Sequence, residues 1–265
     1  MADTFGAALR SWRQARRVSQ EQLADRAGIS PRHLSFVETG RSQPSREVVL
    51  ALAGALEVPL RERNLLLTAA GFAAAYQASP LDGAELTHMR RALDHILAQQ
   101  EPYGAAVLDS RWNLVRLNRG AQRLLACFPP ASADGLAAAR NLFLGLVHAD
   151  AFAPYIVNWD EVASSVVMRL HHEIAGRPGD DELPRLLARV LAQPRVPAAW
   201  RSPTPGRTAA PFVTIHLRSP ALDVHLFTML ASIGTPLDVT AEELHVELYF
   251  PADDASDAAL RALAD

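Results

Sequence analysis

The chain of 265 residues contains no lysine, so each of its 26 fixed cations is an arginine. It has one cysteine, Cys127, which excludes an intrachain disulfide and fits a reducing cytoplasm. With no CxxC or metal-ligand companion, that thiol reads as a small buried apolar residue. No apolar run approaches the roughly 20 residues of a membrane span. The apolar residues of "MADTFGAALRSWRQARR" are broken by Arg10 and Arg13, which argues against a signal peptide. Enzyme signatures are also missing: there is no GxSxG nucleophile elbow, no P-loop and no GxGxxG following a strand. Asp253 and Asp254 are adjacent carboxylates, but neighbours on a loop do not flank a substrate, and a solvated turn is expected. His171 and His172 fall about 100° apart on a helix, a poor chelating arrangement. His216, His225 and His245 lie on three different expected strands. Their convergence would make a metal-sensing sheet, a rival reading weakened by the lack of an HxH pair. No catalytic residue, no metal site and no resident cofactor is expected.

The residues present show a charge asymmetry. Residues 1–70 hold 10 Arg against 7 Asp and Glu, whereas the remainder holds 16 against 22, so a net charge of −3 hides a basic first part and an acidic second. A basic part suits a polyanion, and the acidic remainder argues against a second nucleic-acid surface. The length implies about two domains, and the 49% hydrophobic content is enough for a real core.

Two helix-start signals crowd the stretch "SQEQLADRAGISPRHLSFVETGRSQPS". Ser19 with Gln22 has capping-box spacing, and Val18 with Leu23 that of a hydrophobic staple. Ser30 is a second cap, with Pro31 at the first helical position and Ile29 and Leu34 as the second staple. Gly28 lies where the first helix must stop. In the second helix Leu34 and Val37 turn inward with Leu23 and Ala27, while Arg32 and Phe36 point away from that core and His33 and Ser35 flank them. One Arg, one His, one hydroxyl and one aromatic ring are groups that meet base edges and thymine methyls.

With "LRSWRQARRVSQEQLADRAGISPRHLSFVETGRSQPS" and "VVLALAGAL", residues 4–70 resemble the lambda-repressor-like helix-turn-helix domain of the XRE family. The resemblance implies five helices in an all-α domain over residues 1–70, with Ser30 to Glu38 as the recognition helix in the major groove. It implies that Gln20 contacts a phosphate and braces the reading helix, and that Arg32, His33, Ser35 and Phe36 face bases. Arg41, Ser42 and Arg46 stand where the family clamps phosphates, and Arg13 and Glu38 match an internal salt bridge. Pro31 and Phe36 depart from the Gln or Asn that many relatives carry on the reading face.

Regular apolar spacing fades across residues 71–83, and an amphipathic connecting helix follows, with Leu86, Met89, Leu93, Ile96 and Leu97 on one stripe; linker and helix occupy residues 71–103. From residue 104 the pattern is mixed. "GAAVLDSRWNLVRLN" reads as two short strands, and helices are expected in "RGAQRLLACF", after Trp159, and in "DELPRLLARVLAQ". "FVTIHLR", "VHLFTMLASI" and "ELHVELYF" read as strands, the last placing Leu244, Val246, Leu248 and Phe250 on one face and His245, Glu247 and Tyr249 on the other. That order predicts an α+β domain over residues 104–253, an antiparallel sheet with helices on one side, followed by a tail or helix over residues 254–265.

The phrases "VLDSRWNLVRLNRGAQRLL", "NLFLGLV", "NWDEVASSVVMRL", "LPRLLARVL" and "TMLASIGTPLDVTAEELHVELYFPAD" resemble the MmyB-like ligand-binding domain, a PAS-like module. The resemblance implies a small-molecule sensor with an apolar or fatty-acyl ligand. Phe152, Tyr155, Trp159, Val166, Phe227 and Met229 are candidate lining residues, and Arg169, at the edge of the Trp159 helix stripe, is a candidate partner for a ligand carboxylate. The expected protein is a cytoplasmic regulator that binds duplex DNA as a homodimer and senses an apolar molecule. Its rivals are a DNA-binding protein whose second domain only dimerises, a metal-sensing regulator, and a DNA-binding enzyme.

Overall fold

A computed structural model describes residues 4–202 and 213–264. The chain divides into two compact units. The first holds the chain up to Pro80 together with Glu173–Asp181 and Thr235–Glu242; the second holds Leu81–His172, Glu182–Gly234 and the chain from Glu243 on.

The first unit contains α1 (Phe5–Ala15), α2 (Gln20–Ala27), α3 (Pro31–Glu38), α4 (Arg46–Ala55) and α5 (Leu60–Ala69). The capping box forms as the sequence indicates: Ser19 accepts from the Gln22 N–H, and Gln22 accepts from the Ser19 N–H. Gly28 ends α2 at φ 67°, in the left-handed region that glycine enters without steric cost. Leu9, Leu23, Leu34, Leu52 and Leu67 are fully buried in one core. α1 crosses the end of α3 closely at Gly6, where a Cβ would stand 2.6 Å from the Glu38 carbonyl oxygen. The later segments complete this unit. Gly176 O accepts from Arg16 Nη1 at 3.0 Å. The Glu242 carboxylate accepts from the Leu60 N–H at 2.6 Å, capping α5, whose N-cap residue Pro59 makes no side-chain cap bond.

The second unit contains α6 (Thr87–Gln99), β1 (Ala105–Leu108), β2 (Leu114–Leu117), α7 (Arg119–Ala126), α8 (Ala133–Ala138), α9 (Leu142–Val147), most of α10 (Trp159–Gly176), α11 (Glu182–Leu191), β3 (Ile215–Arg218), β4 (Asp223–Ser232), β5 (His245–Pro251) and α13 (Asp254–Ala262); α12 (Val239–Glu243) precedes β5. The five strands form one antiparallel sheet in the order β2-β1-β5-β4-β3. Phe212 of the expected strand "FVTIHLR" lies outside the described residues.

Two expectations are corrected here. Helices cover both sheet faces, because Leu93 and Leu97 of α6 pack with Ala105, Val107, Leu244 and Val246 on one face, while α7, α9 and α10 lie over the other. Asp253 and Asp254 do not form a bare solvated turn: Asp253 N-caps α13 by accepting from the Ser256 N–H at 2.7 Å, and Ser256 in turn accepts from the His225 N–H at 2.8 Å.

Candidate DNA-reading face and ligand cavity

The candidate reading face rests on α3. Ser30 Oγ accepts from the His33 N–H at 3.2 Å, and Leu34 and Val37 anchor the helix inward. Arg32 is exposed and its guanidinium lies 5.4 Å from the Phe36 ring centroid; His33, Ser35 and Phe36 are half-buried on the same side. The Phe36 carbonyl accepts from the Arg41 and Ser42 N–H groups at 2.8 and 3.2 Å, with Gly40 at φ 72° making the turn. Arg41 and Arg46 are exposed, the latter at the first position of α4 behind the Ser45 cap.

Glu38 locks this arrangement from beneath. Its side chain is fully shielded from solvent and accepts from Arg13 Nε at 2.6 Å and Arg13 Nη2 at 3.0 Å, a two-pronged pair, while Arg10 Nε stands 3.5 Å away. Gln20 Nε2 donates to the same carboxylate at 2.7 Å, which ties the first turn of α2 to the last turn of α3. Burial raises the Glu38 pKa, but the hydrogen bonds from Arg13 and Gln20 and the charges of Arg13 and Arg10 outweigh it and hold the carboxyl below its usual range.

In the second unit two contiguous cavities lie under α9. One has about 70 Å³ of space and is almost wholly apolar, lined by Leu124, Leu125, Phe128, Phe152, Leu217 and Leu226 among others. The other has about 250 Å³ and is lined by Trp112, Phe143, Val162, Ser165, Val166 and Arg169. Leu142, Leu146, Ile215, Thr228 and Glu247 line both. Trp112 is held at φ 66°, a conformation that costs a non-glycine residue energy. Its ring stacks on Phe143 at 4.3 Å and carries the Arg169 guanidinium at 4.2 Å. Glu247 is 7% exposed; Thr228 and Tyr249 hydrogen-bond its carboxyl, yet Oε2 has no hydrogen-bond partner among the described residues. Burial pushes this carboxyl up to about 7, against the opposing pull of Thr228, the Arg169 charge and Tyr249.

Of the residues expected to line a ligand site, Phe152, Val166 and Arg169 line these cavities. Trp159 and Tyr155 stand outside the lining. Trp159 is fully buried, with Nε1 donating to Leu146 O and Arg195 stacked on its ring at 4.2 Å, and the Tyr155 hydroxyl donates to Pro129 O. Phe227 and Met229 lie off the lining of these two cavities. Strand residues alternate between faces, and β4 gives Thr228 to the cavity, so its neighbours point the other way. Phe227 stacks on Phe250 at 5.4 Å and Met229 is 57% exposed. The three strand histidines do not converge. His216 and His225 are cross-strand partners stacked at 3.9 Å, whereas His245 pairs with Ser232 at the opposite end of β4. No group of three metal-binding side chains occurs among the described residues.

Sequence reasoning missed Trp112, Thr228 and Glu247. The signal for Glu247 was its place between hydrophobic neighbours in β5, on a face that the helices turn out to cover.

Comparison with known proteins agrees with both regions. Residues 89–263 match the family model of the MmyB-like transcription regulator ligand binding domain, and residues 4–66 match that of a helix-turn-helix domain. Two proteins of Mycobacterium tuberculosis, from strains CDC 1551 / Oshkosh and ATCC 25618 / H37Rv, each bear the name uncharacterized HTH-type transcriptional regulator. Each is 45% identical over 53 residues, which is 20% of this chain and 38% of the relative. The chain thus spans less than half the length of the curated relatives it matches.

Proposed function

From the premise that this chain belongs to the MmyB-like transcription regulator family, we propose that it is a cytoplasmic, sequence-specific DNA-binding regulator whose output is set by an apolar acid held in the second unit. The observation that carries the DNA half is α3 itself, an eight-residue helix capped, anchored and turned so that Arg32, His33, Ser35 and Phe36 face away from the core. In this reading Arg32 bonds base edges and the Phe36 ring packs on them. Arg41, Ser42 and Arg46 hold phosphates, the last two helped by backbone N–H groups near the start of α4. Gln20, already engaged with Glu38, braces α2 against α3 and reaches a phosphate from the α2 N-terminus. One such helix covers only a few base pairs, so two chains read half-sites about one helical turn apart as a homodimer. In the second unit an acyl chain lies among Phe128, Phe152, Leu142 and Leu146, and its carboxylate meets Arg169 beside Val166. The fatty-acyl class is supported by the apolar lining and, among the described residues, a single arginine at its polar end.

Two substitutions test the DNA reading. Arg32→Ala costs about 1–3 kcal/mol on the preferred duplex and little on random sequence. Arg41→Ala weakens both alike and lowers the salt slope by about 0.9. Binding titrations at several salt concentrations separate the two, and equal losses on both duplexes for Arg32→Ala would remove it from the base-reading set.

A further inference from the structure

Among the described residues Glu247 is the one acid on the lining of both cavities, and it sits where they meet. A buried carboxyl oxygen without a partner costs free energy that a structural role does not recover. The sheet does not require an acid there: its cross-strand partners are Ala106 on β1 and Leu230 on β4, both of which leave a hydrophobic side chain equally at home. The groups that face it are few. Arg169 comes from α10, Thr228 from β4 and Tyr249 from its own strand, while α9 lines the cavities with the apolar Leu142, Phe143 and Leu146. His245, one further residue along that face of β5, stacks toward Trp112 at 6.2 Å.

We propose that Glu247 is a head-group residue of this cavity, and that it meets the carboxylate of a bound acid as the neutral carboxylic acid, donating a hydrogen bond from Oε2, so that binding protonates whatever fraction of Glu247 is still ionised. The proposal rests on the reading that an acid occupies the cavity. Two carboxylates at hydrogen-bond distance in a buried site do not both stay ionised, so one must be protonated. In this arrangement Arg169, which lines the same cavity, holds the ligand acid charged, and Glu247 takes the proton because it is buried with Oε2 unpartnered and burial outweighs the pull of Arg169 on it. Thr228 and Tyr249 orient the carboxyl, and Trp112 at its left-handed φ fixes the guanidinium above. The result is a sensor whose affinity for an acid depends on pH within the physiological range.

The test is calorimetric titration of the full chain with a saturated long-chain carboxylic acid, in buffers of different ionisation enthalpy between pH 6 and 8. The expected result is uptake of about 0.9 proton per acid at pH 8 and about 0.1 at pH 6, with Kd rising about tenfold per pH unit above pH 7. In Glu247→Gln the amide donates at every pH, so both dependences vanish while the acid still binds. The methyl ester of the same acid, tried on the unaltered chain, takes up no proton; it serves also where Glu247→Gln does not fold. An acid that binds with a flat pH profile and no proton uptake, or an ester that takes up as much as the acid, overturns the role of Glu247 and leaves the acid-binding reading standing. Failure of the acid to bind at any of these pH values overturns both.

Discussion

Glu38 in the helix-turn-helix unit and Glu247 in the sheet unit are almost equally buried, at 5% and 7% exposure, yet their surroundings differ in kind. Glu38 receives two hydrogen bonds from Arg13 and one from Gln20, and its carboxyl is held down. Glu247 lacks a partner at Oε2 and is pushed up to about 7. A fully satisfied buried charge fixes geometry, here the packing of α1, α2 and α3 on which the proposed base reading depends. A half-satisfied one holds free energy in reserve for something that arrives. The same residue type is thus scaffold in one unit and, in our proposal, receptor in the other.

The largest expected effect is on the scaffold side. Glu38→Gln removes the charge beneath Arg13 and leaves that guanidinium, 13% exposed, uncompensated. The expected loss is about 3–5 kcal/mol in the unfolding of the first unit, measured by urea denaturation. A variant that melts like the unaltered chain would show that the pair contributes nothing, and the contrast with Glu247 would collapse.

The next effect is smaller and opposite in its pH dependence. A carboxyl whose folded pKa is raised contributes stability that is complete below its ordinary value of 4.5 and is lost as pH rises through the folded value of about 7. The second unit therefore loses roughly 3 kcal/mol between pH 4.5 and pH 7.5 through this group. Glu38, whose pKa is lowered, adds stability above the ordinary carboxylate range that is lost as pH falls through its depressed value. Urea titrations at pH 5 and pH 7.5 read the difference: Glu247→Gln abolishes the loss in the second unit. An equal loss in both proteins would place the titrating group elsewhere.

The two units also differ in how far the sequence reveals them. In the first, information is local: Ser19, Gln22, Gly28, Ser30 and Pro31 each act within four residues of themselves, so helix limits, turn and outward face were legible. Even the Arg13–Glu38 pair was visible, although only through family resemblance. In the second, the strands and main helices were legible from periodicity, but the lining of the cavity was not. Whether the face of β5 that bears Glu247 meets water or a helix depends on where α9 and α10 pack, which no local pattern states. The cavity lining takes Thr228 and Glu247, whereas the candidates Phe227 and Met229 fall on the other face of the sheet. The place of Trp112 is not legible either, because it depends on a left-handed backbone in the β1–β2 turn.

The most direct measurement is the affinity of the full chain for a duplex selected from a random pool, with and without a saturated long-chain carboxylic acid at pH 6.5. Val166, 4% exposed and part of the cavity lining, is replaced by Trp in a control that fills the space. If the cavity governs DNA binding, the acid shifts Kd for the duplex by about 5-fold to 150-fold in the unaltered chain and leaves Val166→Trp unmoved. An acid that binds the protein yet leaves the duplex affinity unchanged would contradict the link between the two units' functions.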